Sequence, residues 1–482
     1  MTNKAIHRRD FLKRAAAGLA IGMLGRAAAA EPARRQPNIV VLFADDLGYG
    51  ELGCQGNKQI PTPHIDSIAA NGIRFTDGYV TAPYCSPSRA GMLSGRYQHR
   101  FGYTINVMPH VKGGTEHGLP RSETTLGEYL KGCGYTTGVI GKWHLGASKA
   151  HNPVNNGFDY FYGFAHEGHY FVPPPYKGVT TLLRKKPLPD GAKGRWTSPE
   201  GKLLYHDILG NEPLYDLHNP ILRGLDVVDE RRYLTDAFTD EAAQFIKKNK
   251  SRPFLLYLAY SAVHSPLQGA DAYMKKMGHV KDVHRRIFAS MLANLDDSLG
   301  TVLKTIRQCG LEQDTLIFFL SDNGGPTKEL TSSNLPLSGG KGSLSEGGVR
   351  IPFMVQWKGK LPRGKVYKRP VISLDIYATA AAAAGHPAPG DKVDGVDLVP
   401  YLTGRARGDP HAELFWRRRG SVALRAGDWK LIKQPARGRS KAPWRLYNLA
   451  EDISESKDLA ATRVDKLKDL LARCKKFQRE LK

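Results

Sequence analysis

The chain has 482 residues but only five cysteines, Cys54, Cys85, Cys133, Cys309 and Cys474, and no C-x-x-C pair. That scatter excludes a disulfide scaffold and a thiolate zinc cluster. No apolar run approaches the ~20 residues of a membrane span, which excludes a stable transmembrane segment. No internal repeat is present. Acidic residues are also short, 46 against 70 Lys and Arg, leaving a net charge of +24. A basic surface suits nucleic acid, anionic lipid or an acidic substrate. No basic run alternates with stacking aromatics, so nucleic acid is the poorest of the three. A sulfated or carboxylated polymer fits better, although solubility alone is an equally simple reason for the charge.

What is present begins with residues 1–30. Arg8-Arg9 precedes Phe11-Leu12, a modest apolar stretch and a run of alanines ending near Ala30. The order of basic pair, apolar core and small-residue cleavage site resembles a twin-arginine signal peptide. It predicts export through the twin-arginine translocase to a bacterial periplasm or beyond the cell. The leader holds six Lys or Arg against one Asp, so the remainder keeps about +19.

Beyond it, short apolar runs at 38–44, 136–141, 253–261, 315–321 and 352–357 read as buried strands. Stretches 234–246 and 287–306 carry apolar residues on one helical face. Continuous apolar strands separated by helices predict an α/β fold, a large, mostly parallel sheet sandwiched by helices. Residues 165–232 break the pattern with Gly, Pro, His, Tyr and Lys, an excursion near a site. Its His166, His169, Tyr170 and His206 either shape a pocket or pack the loop. After about 400 the texture changes to short strands and turns, then a basic helix from Arg463. The expected division is 31–395 for a catalytic domain and 396–482 for a small C-terminal α+β domain.

In open α/β sheets ligands collect at the carboxyl ends of strands. Those ends carry Asp45 and Asp46, Lys142 and His144, His264, and Asp322 and Asn323. A lone Asp-Asp pair is usually a cap or a solvated turn. Two oxygen-donor sets at strand ends instead suit a hard divalent cation, calcium first and magnesium second. Cys85 stands apart from the other cysteines. It lies in "TAPYCSPSRAGMLSGR", among small hydroxyl residues and arginine rather than in apolar company, as a sulfur placed to be changed.

"ADDLGYGELGC", "CSPSRAGMLSGR", "GYTTGVIGKWHLG", "HSPLQ", "LSDNGG" and "GKGSLSEGGVRIPF" together resemble the type I sulfatases of the alkaline-phosphatase-like superfamily. The likeness runs over 37–360, with a C-terminal echo in "ALRAGDWKLI" and "WRLYNLAEDISESKDLA". "HSPLQ" and "LSGGKGSLSEGGVR" look most like the arylsulfatase B and N-acetylgalactosamine sulfatase branch. The family's signal for oxidising cysteine to Cα-formylglycine is intact as Cys85, Pro87, Ser88, Arg89, Leu93, Gly95 and Arg96.

The resemblance implies a sulfuric ester hydrolase acting on a sulfated carbohydrate or aryl sulfate, matured by a cytoplasmic formylglycine-generating enzyme. It implies one Ca²⁺ per chain on Asp45, Asp46, Asp322 and Asn323, with formylglycine at position 85 completing the shell. The aldehyde hydrate would attack sulfur with one hydroxyl and release sulfate from the sulfoenzyme by losing a proton from the other. Arg89 would hold the hydrate and Lys142 and Lys341 the sulfate oxygens. Asp322 would assist deprotonation of the hydrate, His264 would protonate the leaving oxygen, and His144 would take the second proton. Two other readings stay open: a phosphonate or phosphate ester hydrolase of the same superfamily, and an unmatured glycan-binding protein.

Overall fold

The computed structural model describes residues 36–107, 117–208, 210–435 and 442–481. The expected leader, 1–30, lies outside them. The first strand, Asn38–Ala44, shows how the sequence builds the fold. All seven of its residues are buried. Val40 and Leu42 enter one core with the helices Leu234–Asn249 and Val283–Gln308. Ile39, Val41 and Phe43 enter a second core with the helices Cys85–Ser94, Leu126–Gly132 and Asp375–Ala383. One uninterrupted apolar run thus feeds two layers, because successive strand side chains point to opposite faces.

This strand lies within a ten-stranded sheet ordered 226–227, 222–223, 160–164, 136–142, 254–259, 38–44, 315–321, 353–356, 73–75 and 365–367. The five strands from 160–164 to 315–321 are mutually parallel, and antiparallel pairings flank them on both sides. The architecture is therefore the expected α/β sandwich, with a mixed sheet. The strand runs read from the sequence coincide with strands to within two residues. Both expected helices run longer than their apolar faces; the second begins where Asp282 accepts the Arg285 N–H.

The excursion is not a bare loop. Its strands Val179–Arg184, Arg195–Thr197 and Leu203–His206 join Leu267–Ala270 in a four-stranded sheet over the Val283–Gln308 helix. At the C-terminus the strands Leu414–Arg418, Ser421–Ala426, Trp429–Lys433 and Arg445–Asn448 form an antiparallel sheet backed by the helix Val464–Glu480. Trp416 is buried against Tyr79 at 5.2 Å and donates its indole N–H to the Val80 carbonyl at 2.6 Å, joining this sheet to the main body.

Candidate active site

Parallel pairing is level at the site. Ala44 pairs with Ser321, Phe43 with Ala259, and Ala259 with Gly141. The next residues on each chain therefore emerge together at one sheet edge: Asp45 and Asp46, Asp322 and Asn323, Lys142, and after a short turn His264. Gly141 permits this closeness, since a Cβ there would fall 1.9 Å from the Ala259 carbonyl oxygen. The Cys85–Ser94 helix points its first residue at the same edge.

All these side chains are buried. Lys142 Nζ is 2.6 Å from Asp45 Oδ2, and Lys341 Nζ is 2.7 Å from Asp46 Oδ2. Arg89 holds Asp322 Oδ2 through Nη2 at 2.8 Å and Nε at 3.1 Å. It also donates to the Lys142 carbonyl and stacks 5.0 Å from Phe43. Asn323 donates Nδ2 to Asp46 Oδ1 at 2.6 Å, while its Oδ1 is buried with no partner. Ligand atoms of Asp45, Asp46, Cys85 and His264 lie within 4.8 Å of one another.

Three carboxylates so close repel one another. Burial and the neighbouring Asp322 push Asp45 up to about 8. Burial would raise Asp322 too, but the Arg89 and Lys142 charges hold it down at about 2. A divalent cation would relieve this crowding and use the orphaned Asn323 oxygen, so the donor set fits a hard ion.

Cys85 donates its thiol to Asp45 Oδ1 at 3.5 Å. Burial and Asp322 push that thiol well above its ordinary range. A thiol held neutral is a poor nucleophile. The unmodified sulfur therefore has geometry without reactivity.

The two histidines present different nitrogens. His264 donates Nδ1–H to the Ser265 carbonyl at 2.6 Å, leaving Nε2 facing Asp46 Oδ2 at 3.6 Å. His144, held in the left-handed region at φ 59°, donates Nε2–H to the Val107 carbonyl at 3.1 Å. Its Nδ1 is left as a buried lone pair without a partner. Burial, then Lys341 and Lys142 for His264 and Lys142 and Arg89 for His144, keep both rings neutral.

Every residue singled out at the strand ends, with Cys85, Arg89 and Lys341, gathers at this edge. Cys85, His144, His264 and Lys341 open onto a cleft of about 610 Å³. His166, His169, Tyr170 and His206 do not line it. His169 lies 6.3 Å from Tyr215 within the excursion, and His206 stacks 6.1 Å from His284 on the Val283–Gln308 helix. The excursion instead contributes Glu167, Arg184 and Ile208 to the cleft wall.

Sequence reasoning missed the residues that hold the Lys341 loop. Glu455 accepts from Ser338 Oγ at 2.6 Å and the Glu346 N–H at 2.7 Å. Gln434 accepts the Leu344 N–H at 2.7 Å. Lys430 bridges Glu346 at 2.8 Å and Glu455 at 2.9 Å. These clamps come from the C-terminal sheet and its flanking segments, 84 to 117 positions along the chain from the loop residues they hold, and no local pattern marks them.

A sequence profile described as Sulfatase matches residues 37–386. Arylsulfatase A of Homo sapiens is 35% identical over 435 residues, covering 88% of this chain and 77% of that one. Steryl-sulfatase of Mus musculus is 34% identical over 437 residues, covering 80% and 68%. The solved structure of Ps i-CgsB in complex with k-i-k-neocarrahexaose superposes with a TM-score of 0.79 at 33% identity, covering 92% of this chain and 93% of that one.

Proposed function

The chain belongs to the sulfatase family and is a sulfuric ester hydrolase; from that premise we propose that its substrate is a sulfated carbohydrate. The observation that carries this is the character of the cleft. Among the described residues lining it, Ile208 is the one large aliphatic, and Glu167, Arg184, Lys328 and Glu329 bring charged groups to its wall. A steroid or simple aryl group needs an apolar wall, whereas a sugar needs hydrogen-bonding groups. The named ligand of Ps i-CgsB, a hexaose, supports the same class.

In this reading Cys85 is converted to Cα-formylglycine by a cytoplasmic formylglycine-generating enzyme before twin-arginine export to the periplasm or beyond the cell. Residues 31–395 carry the chemistry and 396–482 form the smaller domain. Asp45, Asp46, Asp322 and Asn323 would hold one Ca²⁺ with residue 85, and the bound ion would draw charge from a sulfate oxygen. Lys142 and Lys341 would leave their carboxylates for the remaining sulfate oxygens, offsetting charge at the transition state. Arg89, one turn below residue 85, fixes Asp322, which would assist deprotonation of the nucleophile. His264 Nε2, a lone pair in the neutral ring, would be protonated once an anionic sulfate ester lies beside it and would deliver that proton to the departing oxygen. His144 Nδ1, with its free lone pair, would accept one during release.

Free sulfate measured against a panel of defined sulfated saccharides tests the substrate class. Release from aryl sulfate alone, with every saccharide untouched, would overturn it. Parallel assay on an aryl phosphate diester separates the phosphonate or phosphate hydrolase reading. Intact mass tests the maturation, because conversion of cysteine to formylglycine removes about 18 Da; retention of the full mass in a preparation that turns over would reject it.

Removing the ion should expose the self-repulsion of the cage. Chelation is expected to lower both activity and the melting temperature, and calcium to restore them. Saturation at about a hundred times Kd is worth about 2.7 kcal/mol. Asp46→Ala should abolish the calcium-induced shift in melting temperature. A variant that keeps the whole shift would remove Asp46 from the ligand set.

A further inference from the structure

A second recess of about 240 Å³ adjoins the catalytic cleft and shares Asn106 and Lys341 with it. Its outer wall is the tip of the first C-terminal hairpin, where Arg418 pairs with Ser421 around the two-residue turn Arg419-Gly420. Arg418 lies 5.2 Å over the Tyr84 ring and donates Nη1 to the Gly342 carbonyl. Arg419 is exposed. Among the described residues neither guanidinium has a carboxylate within 4.0 Å.

The turn is costly for its sequence. Arg419 sits at φ 49°, where such hairpins favour Asn, Asp or Gly. A long cationic side chain held there faces the recess at the expense of local conformational preference. On the other side the main cleft carries Glu167 and Glu329 with Lys328 beside them, and its Arg184 is already paired with Glu212 at 2.9 Å. The cleft wall is therefore of mixed charge, whereas the recess is lined by Lys341, Arg418 and Arg419 and, among the described residues, by no carboxylate.

We propose that this recess is a second anion subsite, which holds a sulfate or carboxylate on the sugar unit joined to the one that loses its sulfate. It rests on the carbohydrate reading above. The planar guanidinium of Arg419 matches either anion bidentately, and Arg418 braces the Lys341-Gly342 turn between the two sites.

The test uses matured full-length enzyme, Arg419→Glu and Arg419→Lys. Disaccharides that share one cleavable sulfate and differ in the neighbouring unit, sulfated, uronate or neutral, give the ratio of kcat/KM for anionic over neutral neighbours. Arg419→Glu should lower that ratio by about tenfold, and Arg419→Lys should largely restore it. Whether the sulfated or the uronate neighbour responds identifies the anion. Dextran sulfate, as inhibitor of nitrophenyl sulfate hydrolysis, should also bind Arg419→Glu about tenfold more weakly than the parent, with neutral dextran inert. Unchanged ratios, or equal inhibition of parent and Arg419→Glu, would overturn the subsite. Failure of every saccharide as a substrate would instead overturn the carbohydrate reading, and the inhibition series would then decide the subsite alone.

Discussion

His264→Ala is expected to lose about 10²–10⁴ in turnover on a sugar sulfate, or roughly 3–5 kcal/mol, and far less on nitrophenyl sulfate. A sugar alkoxide is a poor leaving group, so breaking its S–O bond at neutral pH needs a proton as charge develops. Nitrophenolate departs readily without one. Nδ1 is spent on the Ser265 carbonyl at 2.6 Å, so Nε2 alone faces the cleft and Asp46, and it is this nitrogen that the negative charge of a bound sulfate ester would protonate. Lys142→Ala is the comparison, because it removes a sulfate contact common to both substrates and should slow them alike. Single-substrate kcat values for the two variants decide it. Equal losses of His264→Ala on sugar and aryl sulfate would leave His264 as a sulfate-binding residue without an acid role.

The site was legible because parallel strands deliver their ends to one place. Once 38–44 and 315–321 read as buried strands, Asp45 and Asp322 had to lie near the same edge, and the pairing of Ala44 with Ser321 bears that out. Cys85 was legible for the opposite reason, since its neighbours are wrong for a structural cysteine. Periodicity could not show that residues 165–232 would build their own sheet, since three short strands there borrow a fourth from 267–270. Nor could it find Glu455 or Gln434. Their work is to accept hydrogen bonds from a loop distant in sequence, and an exposed-looking Glu or Gln carries no sign of its partner. The strand edges were set by local chemistry; the support of Lys341 was set by tertiary packing.

Cys85→Ser should convert the enzyme to one that reacts once. Serine is close to cysteine in volume and would stand where Sγ lies, 3.5 Å from Asp45 Oδ1, so the buried helix start should fold as before. Its single hydroxyl can take sulfate, but the product is an ordinary serine sulfate ester with no second hydroxyl through which to expel it. Release then requires attack by water at a site whose groups are arranged for another step, and such esters hydrolyse very slowly. Steady-state turnover is expected to fall by about 10⁴-fold or more, equivalent to about 5.5 kcal/mol in the barrier for release. The decisive measurement is the protein itself: after incubation with substrate its mass should rise by about 80 Da, one sulfuryl group per chain. Cys85→Ala, lacking any nucleophile there, should gain nothing. Sustained turnover by Cys85→Ser with no accumulated mass would mean that sulfate never passes through residue 85, and that water attacks the bound ester directly.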